Sequence, residues 1–366
     1  MAQRQFKTTD TSPWPDRFGT GSDGAASINT STDATANTTA TVTSGSTALT
    51  AGSGTGFASG NLILIHQTRN GGTTVGAWEL NKISSIGGGT NWTLAYATVN
   101  AYDTTAQVYL LKQYTTVTVN GSQTLTAAAW AGATGGIVAF LANTSITVTG
   151  TITVSGEGYV GGTGNNSGSG SFCGEGTTSG ITQARQTPSS NEGGGISAGN
   201  GGAGGGGGNG GSGTAATGGS GQGGGGATAG LANLTVMVFG GGGGGGLDAS
   251  NSSGAIGGGI VLLIAPTITI TGALNGNGLQ GGAANWPGGG SAGASILLKG
   301  RNLTLGSSLI TASGGAARAG VGTSGAGGGG RIHADYSQTL SGTTSPTIDS
   351  TLDTIFNNSG FLSIFM

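Results

Sequence analysis

Side chains able to do chemistry are scarce in this sequence. Hydrolysis of a glycosidic bond needs two carboxyls about 5–10 Å apart across a groove. The candidates are Glu157, Glu175, Glu192, Asp248 and Asp335, and no pair of them recurs at the spacing of the internal repeat described below. His66 and His333 lie far apart, each in a strand-like run, and read as surface or satisfied core residues. Cys173 is the single cysteine, which excludes an intrachain disulfide and any His/Cys metal set. No Gly-x-x-x-x-Gly-Lys-Ser/Thr loop is present, and no glycine tract follows a strand and opens a helix as a dinucleotide site requires. The calcium-binding nonapeptide is not present as a repeat: Gly-Gly-x-Gly-x-Asp occurs once, at residues 243–248, and Ser250 stands where the motif needs a large apolar residue. The expectation is a protein that is not an enzyme and carries no metal and no cofactor.

Composition points the same way. Gly fills 84 of 366 positions, about three times average usage. Charged residues make up 7%, where about 25% is usual. With a net charge of -2 and scattered Lys and Arg, no basic stripe exists to hold nucleic acid. Disordered linkers are generally rich in charge and Pro, whereas this chain has six Pro, so order is expected. Residues 1–10 contain no apolar run of the kind a secretory signal needs, and no stretch is long and apolar enough to span a membrane as a helix.

The elements follow from local pattern. Residues 1–40 show no strand or helix period and read as an extended docking arm, in which Phe6, Trp14 and Phe18 are apolar residues suited to a neighbouring subunit; the alternative is a loose terminus. Residues 41–114 hold short strand-like runs, Leu62–His66, Ala77–Leu80, Trp92–Tyr96 and Val108–Leu111, separated by glycine turns. That is the pattern of a small β sandwich or barrel.

An internal repeat fills residues 115–349. Val108-Tyr-Leu-Leu-Lys with Thr116-Val-Thr-Val matches Ile137-Val-Ala-Phe-Leu-Ala with Ile146-Thr-Val-Thr, and Ile260-Val-Leu-Leu-Ile-Ala with Ile268-Thr-Ile-Thr. Ser295-Ile-Leu-Leu-Lys with Leu303-Thr-Leu, and Arg331-Ile-His-Ala-Asp with Thr339-Leu-Ser, are further copies. Short strand units of this size cannot bury a face alone and must stack, as the rungs of a β-helix or solenoid do. The fold class expected is therefore all-β: a small β domain followed by a solenoid-like repeat region with Gly-rich insertions. Alternation turns the aliphatic residues inward and leaves a neutral threonine face outside.

Glycine concentrates in excursions from that spine, above all in residues 161–257, then in 281–293 and 314–330. Glycine loses the most backbone entropy on ordering, so an ordered tract needs a packing other residues cannot reach. Polyglycine II supplies one: a threefold extended helix without Cβ atoms can bond to neighbours on all sides. Flexible surface loops are the competing reading.

Several segments carry a resemblance in fixed order: residues 41–60, Asn61-Leu-Ile-Leu-Ile-His-Gln67, Gly76-Ala-Trp-Glu-Leu-Asn81, Tyr114-Thr-Thr-Val-Thr-Val-Asn-Gly121, Val238-Phe-Gly-Gly-Gly and Gly328-Gly-Gly-Arg-Ile332. They resemble a broad family of Gly-rich surface proteins of bacterial envelopes and tailed phages. The opening Asp16-Arg-Phe-Gly-Thr-Gly-Ser-Asp-Gly24 is similar to openings of phage virion proteins. The glycine tracts are similar in kind to the glycine-rich adhesins at fibre tips of T-even-type phages. The resemblance implies a virion surface protein, a tail-fibre or receptor-binding component. It would assemble with copies of itself, a trimer being compatible with a fibre, and with other virion proteins, and it would meet a host surface glycan or protein. A capsid-decorating protein or an extracellular filament subunit is the structural alternative.

Within the first glycine excursion Phe172, Arg185, Asn191 and Glu192 offer more than a hydroxyl and are the candidate receptor-binding residues. The apolar tail in residues 350–366, with Phe361 and Phe365, reads either as a subunit contact or as a last strand of the chain's own core.

Overall fold

The computed structural model describes residues 18–29, 32–33, 35–69, 73–165, 170–178, 186–196, 201–247 and 252–353. All regular structure among them is β. Phe6, Trp14, Arg185, Asp248, Phe361 and Phe365 lie outside the described residues.

Strands β1 (Ala26–Ile28), β2 (Asn37–Val42), β3 (Ala48–Ala51), β4 (Leu62–Gln67), β5 (Trp78–Gly87), β6 (Asn91–Leu94) and β7 (Tyr102–Leu110) come first. Six of them close into a barrel in the order β2-β3-β6-β5-β4-β7. Alternation in β2 and β3 turns Ala40, Val42, Leu49 and Ala51 inward, where they meet Ile63, Ile65, Trp92 and Val108. Strand β4 is buried along its whole length because its other face, Leu62 and Leu64, packs against the rest of the molecule. That double burial explains a continuous apolar run where a half-exposed strand would alternate.

The second body is a parallel sheet built from β8 (Lys112–Val119), β9 (Thr124–Thr126), β10 (Ile137–Val148), β11 (Thr151–Thr153), β12 (Ile260–Ile264), β13 (Thr267–Ile270), β14 (Ala273–Asn275), β15 (Ser295–Thr311), β16 (Arg331–Ser345) and β17 (Asp349–Leu352). The later repeat copies pair in parallel in the register the sequence gives them. Ile137 lies opposite Ile260, Ile260 opposite Ser295, and Ser295 opposite Arg331. Val117, Ile146, Ile268, Leu303 and Leu340 form one column along the stack, and the first four are wholly buried.

The first copy departs from expectation. Val108–Leu110 belong to β7 and pair antiparallel with β2 and β4 inside the barrel. The chain passes directly from β7 into β8, so one apolar run serves two bodies. The barrel also begins at Asn37, before the expected boundary, and Ala26–Ile28 of the expected arm pair in parallel with Val117–Val119 at the end of the stack. Phe18 is a further correction: it is buried against Leu62, Leu64 and Tyr109 of its own chain, with the Arg301 guanidinium 5.6 Å over its ring.

The third body is the glycine layer. Its excursions leave the stack at matching points, where Val154 N–H donates to Asn275, Gly276 to Thr311 and Ala312 to Ser345. They return at matching points too, Ile260 donating to Gly136, Ser295 to Gly259 and Arg331 to Ala294. Between exit and return the backbone bonds with a period of three. Along Gly240–Gly246, residues 240, 243 and 246 donate to Gly258, Ala255 and Ser252; residues 241 and 244 donate to Gly208 and Gly205; residues 242 and 245 donate to Glu175 and Phe172. The carbonyls of 241 and 244 accept from Ala292 and Gly289, those of 243 and 246 from Gly162 and Asn165, and that of 242 from Gly193. One segment is thus bonded to six different neighbours, and nothing larger than hydrogen fits between them. A Cβ at Gly242, Gly243 or Gly244 would stand 2.1, 2.0 or 1.9 Å from a neighbouring carbonyl oxygen.

Candidate functional site

The passes of the layer turn at two ends. Near the stack and barrel the described turn residues are 176–178 with 186–190, 209–212 and 227–237; at the far end the described turns are 217–222 and 282–287 and 317–323. Pairing sets this polarity. Gly240 bonds Gly258 beside the stack, while seven residues on Leu247 bonds Gly202, next to Gly201 against the Trp286 ring.

The near end is a polar and aromatic junction. Glu175 is 3% exposed and meets three separate elements: the Arg69 guanidinium at 2.8 Å, the Trp130 indole N–H at 2.8 Å and the Val160 backbone N–H at 3.1 Å. Arg69 follows barrel strand β4, and Trp130 precedes β10. Beside them Phe239 packs edge to face on Trp130 and Tyr159, with ring centroids 5.4 and 5.3 Å away. The loop before Phe239 is pinned to the barrel by Trp78 Nε1 donating to Leu234 O and by His66 Nε2 donating to Met237 O, both at 2.9 Å. His66 is a satisfied core residue, as expected: Nε2 carries the proton, and Nδ1 accepts from Thr68 Oγ1.

Burial pushes the His66 pKa down to about 4, against the opposing pull of the Met237 carbonyl. The folded state therefore disfavours the imidazolium, and the unfolded chain binds more protons between the two pKa values. Stability present above pH about 6.5 is expected to fall as the pH drops toward 4. Urea midpoints measured across that range should decline in the native protein and decline less in His66→Gln; parallel curves would count against the assignment.

Two of the expected receptor residues face inward. Asn191 is 1% exposed, its Nδ2 donating to Gly208 O and Phe239 O and its Oδ1 accepting from Thr177 N. Glu192 is fully buried and accepts from the backbone and hydroxyl groups of Ser189 and Ser190. Burial opposes its ionisation, but those hydrogen bonds outweigh it and leave the carboxyl below its ordinary pKa. Both side chains fix a near-end turn, because a backbone without side chains leaves turn closure to the few polar residues present. Phe172 is half-buried within the layer, its backbone bonded to Thr163 and Gly245.

The remaining acids are dispersed. Glu157 meets Thr126 at 3.3 Å, and burial raises its pKa. Asp335 sits on β16 between Lys299 and His333, and His333 also contacts Asp349 of β17 at 2.8 Å. The Asp335 carboxyl stays below its usual range because the His333 and Lys299 contacts overcome the effect of burial. His333 is therefore another satisfied buried residue. Among the described residues no group of three or more His, Cys, Asp or Glu side chains could hold a metal ion, and no helix is long and apolar enough to cross a membrane.

At the far end the described turns hold one aromatic ring, Trp286, which is partly exposed. It projects among bare backbones: a Cβ at Gly201, Gly219 or Gly322 would lie 3.1, 2.8 or 2.6 Å from the indole. Neighbouring Val321 is 67% exposed and is held by Val321 N donating to Asn285 O. Sequence reasoning missed Trp286, although a bulky ring inside a tract of glycine and alanine, residues 281–293, was a legible signal.

Comparison with known proteins adds little. No family model matches the chain, and no curated protein matches it. Among solved structures, the tailspike protein gp49 of Pseudomonas phage LKA1 is aligned over 36% of this chain and 22% of its own length, at 16% identity and a TM-score of 0.19. A likeness of that size carries no argument about fold or function.

Proposed function

We propose that the chain is a phage virion surface protein, a tail-fibre or receptor-binding component that attaches to the host through the far-end turns of its glycine layer. The observation that carries this reading is the layer itself. Its three-residue bonding period and six neighbours support a bundle of polyglycine II helices. The in-register parallel copies beneath it support a β-solenoid spine. Such a bundle can be extended in any direction from a spine, has no charge to attract unrelated partners, and holds short turns rigidly at its end. Function then resides in the turns, where sequence can vary without disturbing the bundle. The role is binding, without catalysis, on the outside of a virion.

The test is adsorption of the purified, fluorescently labelled protein to a panel of bacterial isolates. Saturable binding to some isolates, removed when residues 317–323 are replaced by a Gly-Ser turn, is the expected result. Binding to none, or binding indifferent to the turn, would overturn the attachment role. The building-block alternative draws on a different observation: β17 is exposed along its whole length at the edge of the parallel sheet. Long filaments of the isolated protein in negative stain would favour it.

A further inference from the structure

We propose that the Trp286 turn is a saccharide-binding platform, so that the ligand of the far-end turns is a surface polysaccharide rather than a protein. This deepens the attachment reading and rests on it. The glycine layer needs no aromatic residue to close a turn, since its other described turns close without one. Yet Trp286 is built in at the far end, and three segments, two from the first excursion and one from the third, leave out every side chain where the ring lies, at Gly201, Gly219 and Gly322.

The indole is thereby held among these backbones, but its N–H has no acceptor among the described residues, whereas Trp78, Trp92 and Trp130 all donate theirs. A partly exposed ring so held, with a spare donor, matches a pyranose, which offers a face of C–H groups to the ring and hydroxyl acceptors at its rim. The rim of this site is of the same kind. Asn285, Thr217 and Thr323 are exposed, and Gln222 is half-buried beside them, its Nε2 donating to Gly219 O at 2.5 Å. Arg318 is the one charged side chain among the described far-end turns, and it is engaged by Gln280 Oε1 and Gly281 O at 2.7 and 2.9 Å.

Area argues against a protein ligand. Specific protein interfaces bury on the order of 1,200–2,000 Å² and centre on several packed anchors. One part-buried ring and Val321 are too small for that and suited to one or two sugar rings.

The direct test is an NMR titration of the wild-type chain with glucose, galactose, mannose, N-acetylglucosamine and rhamnose, reading the indole N–H resonances. The Trp286 resonance is identified by its loss in Trp286→Phe. A saturable shift of that resonance with at least one sugar, with the other indoles unmoved, is expected. No saturable shift with any of the five, or shifts equal to those glycerol causes, would overturn the proposal. A second arm separates it from the attachment reading. On isolates that bind the protein, periodate oxidation of cell-surface sugars and Trp286→Ala should each weaken adsorption at least about tenfold. Adsorption that survives both but is lost after trypsin treatment of the cells would refute the saccharide and leave attachment standing. Absence of adsorption by the wild type would refute attachment, while the titration still decides the platform.

Discussion

Gly244→Ala is expected to destabilise the protein by about 3 kcal/mol or more, at or above the upper end for overpacking, whereas Gly329→Ala stays within about 0.5 kcal/mol of wild type. Gly244 donates to Gly205 O at 2.9 Å and accepts from Gly289 N at 2.8 Å, and its third side faces Gly194. A methyl group there would stand 1.9 Å from the Gly194 oxygen and 2.4 Å from its carbon. Both obstacles are backbone, so no rotamer change relieves them. Relief requires one pass to move away from the other, and each is bonded to further passes. Gly329 lies in an equally glycine-rich run, yet a Cβ there meets nothing within 4 Å. Its loss of unfolded-state entropy even favours the variant slightly. Denaturant midpoints of the two variants therefore discriminate a packed layer from flexible loops. If both behave as wild type, the layer is not packed as described.

That contrast also shows where sequence was informative and where it could not be. The stack was legible because a parallel in-register ladder repeats its own side chains: Ile146, Ile268 and Leu303 recur with flanking threonines, and they stand opposite one another. The location of the glycine was legible for the same reason, since excursions must leave and rejoin equivalent rungs. The pairing inside the layer was not. In Gly240–Gly246 every residue is chemically identical, so no pattern distinguishes the residue that bonds Gly258 from the one that bonds Gly208. The seam between barrel and stack misled for another reason. Val108–Leu110 resemble a repeat strand because an inner barrel strand and a rung strand both need consecutive buried positions, and nothing local tells antiparallel from parallel partners. At the candidate site, rarity of side chains identified Asn191 and Glu192 as important but not in which sense. A rare polar group in a glycine tract is as valuable for closing a turn as for touching a ligand, and burial decides between the two.

The junction carries the second large expected effect. Glu175→Ala should cost about 3–5 kcal/mol, the range for removing one partner of a buried charge pair. The loss exceeds that of one contact because three groups are stranded together: the Arg69 guanidinium from the barrel, the Trp130 N–H ahead of the stack and the Val160 N–H in the layer. Trp130 in turn packs on Phe239, whose segment is anchored to barrel residues His66 and Trp78, so loosening one contact loosens the others. Glu175→Gln retains an acceptor for Trp130 and Val160 but turns its amide nitrogen toward Arg69, giving up both the charge and that hydrogen bond, so its loss should be smaller than that of Glu175→Ala without vanishing. The distinguishing readout is cooperativity. Trp92 reports from inside the barrel, and Trp130 reports from the junction. In wild type their fluorescence should change at one denaturant midpoint, whereas in Glu175→Ala the junction signal should change first, while the barrel, closed on itself by six strands, persists. A single shared midpoint in Glu175→Ala would mean that the apolar contacts of Leu62 and Leu64 with the stack, rather than the Glu175 cluster, couple the three bodies.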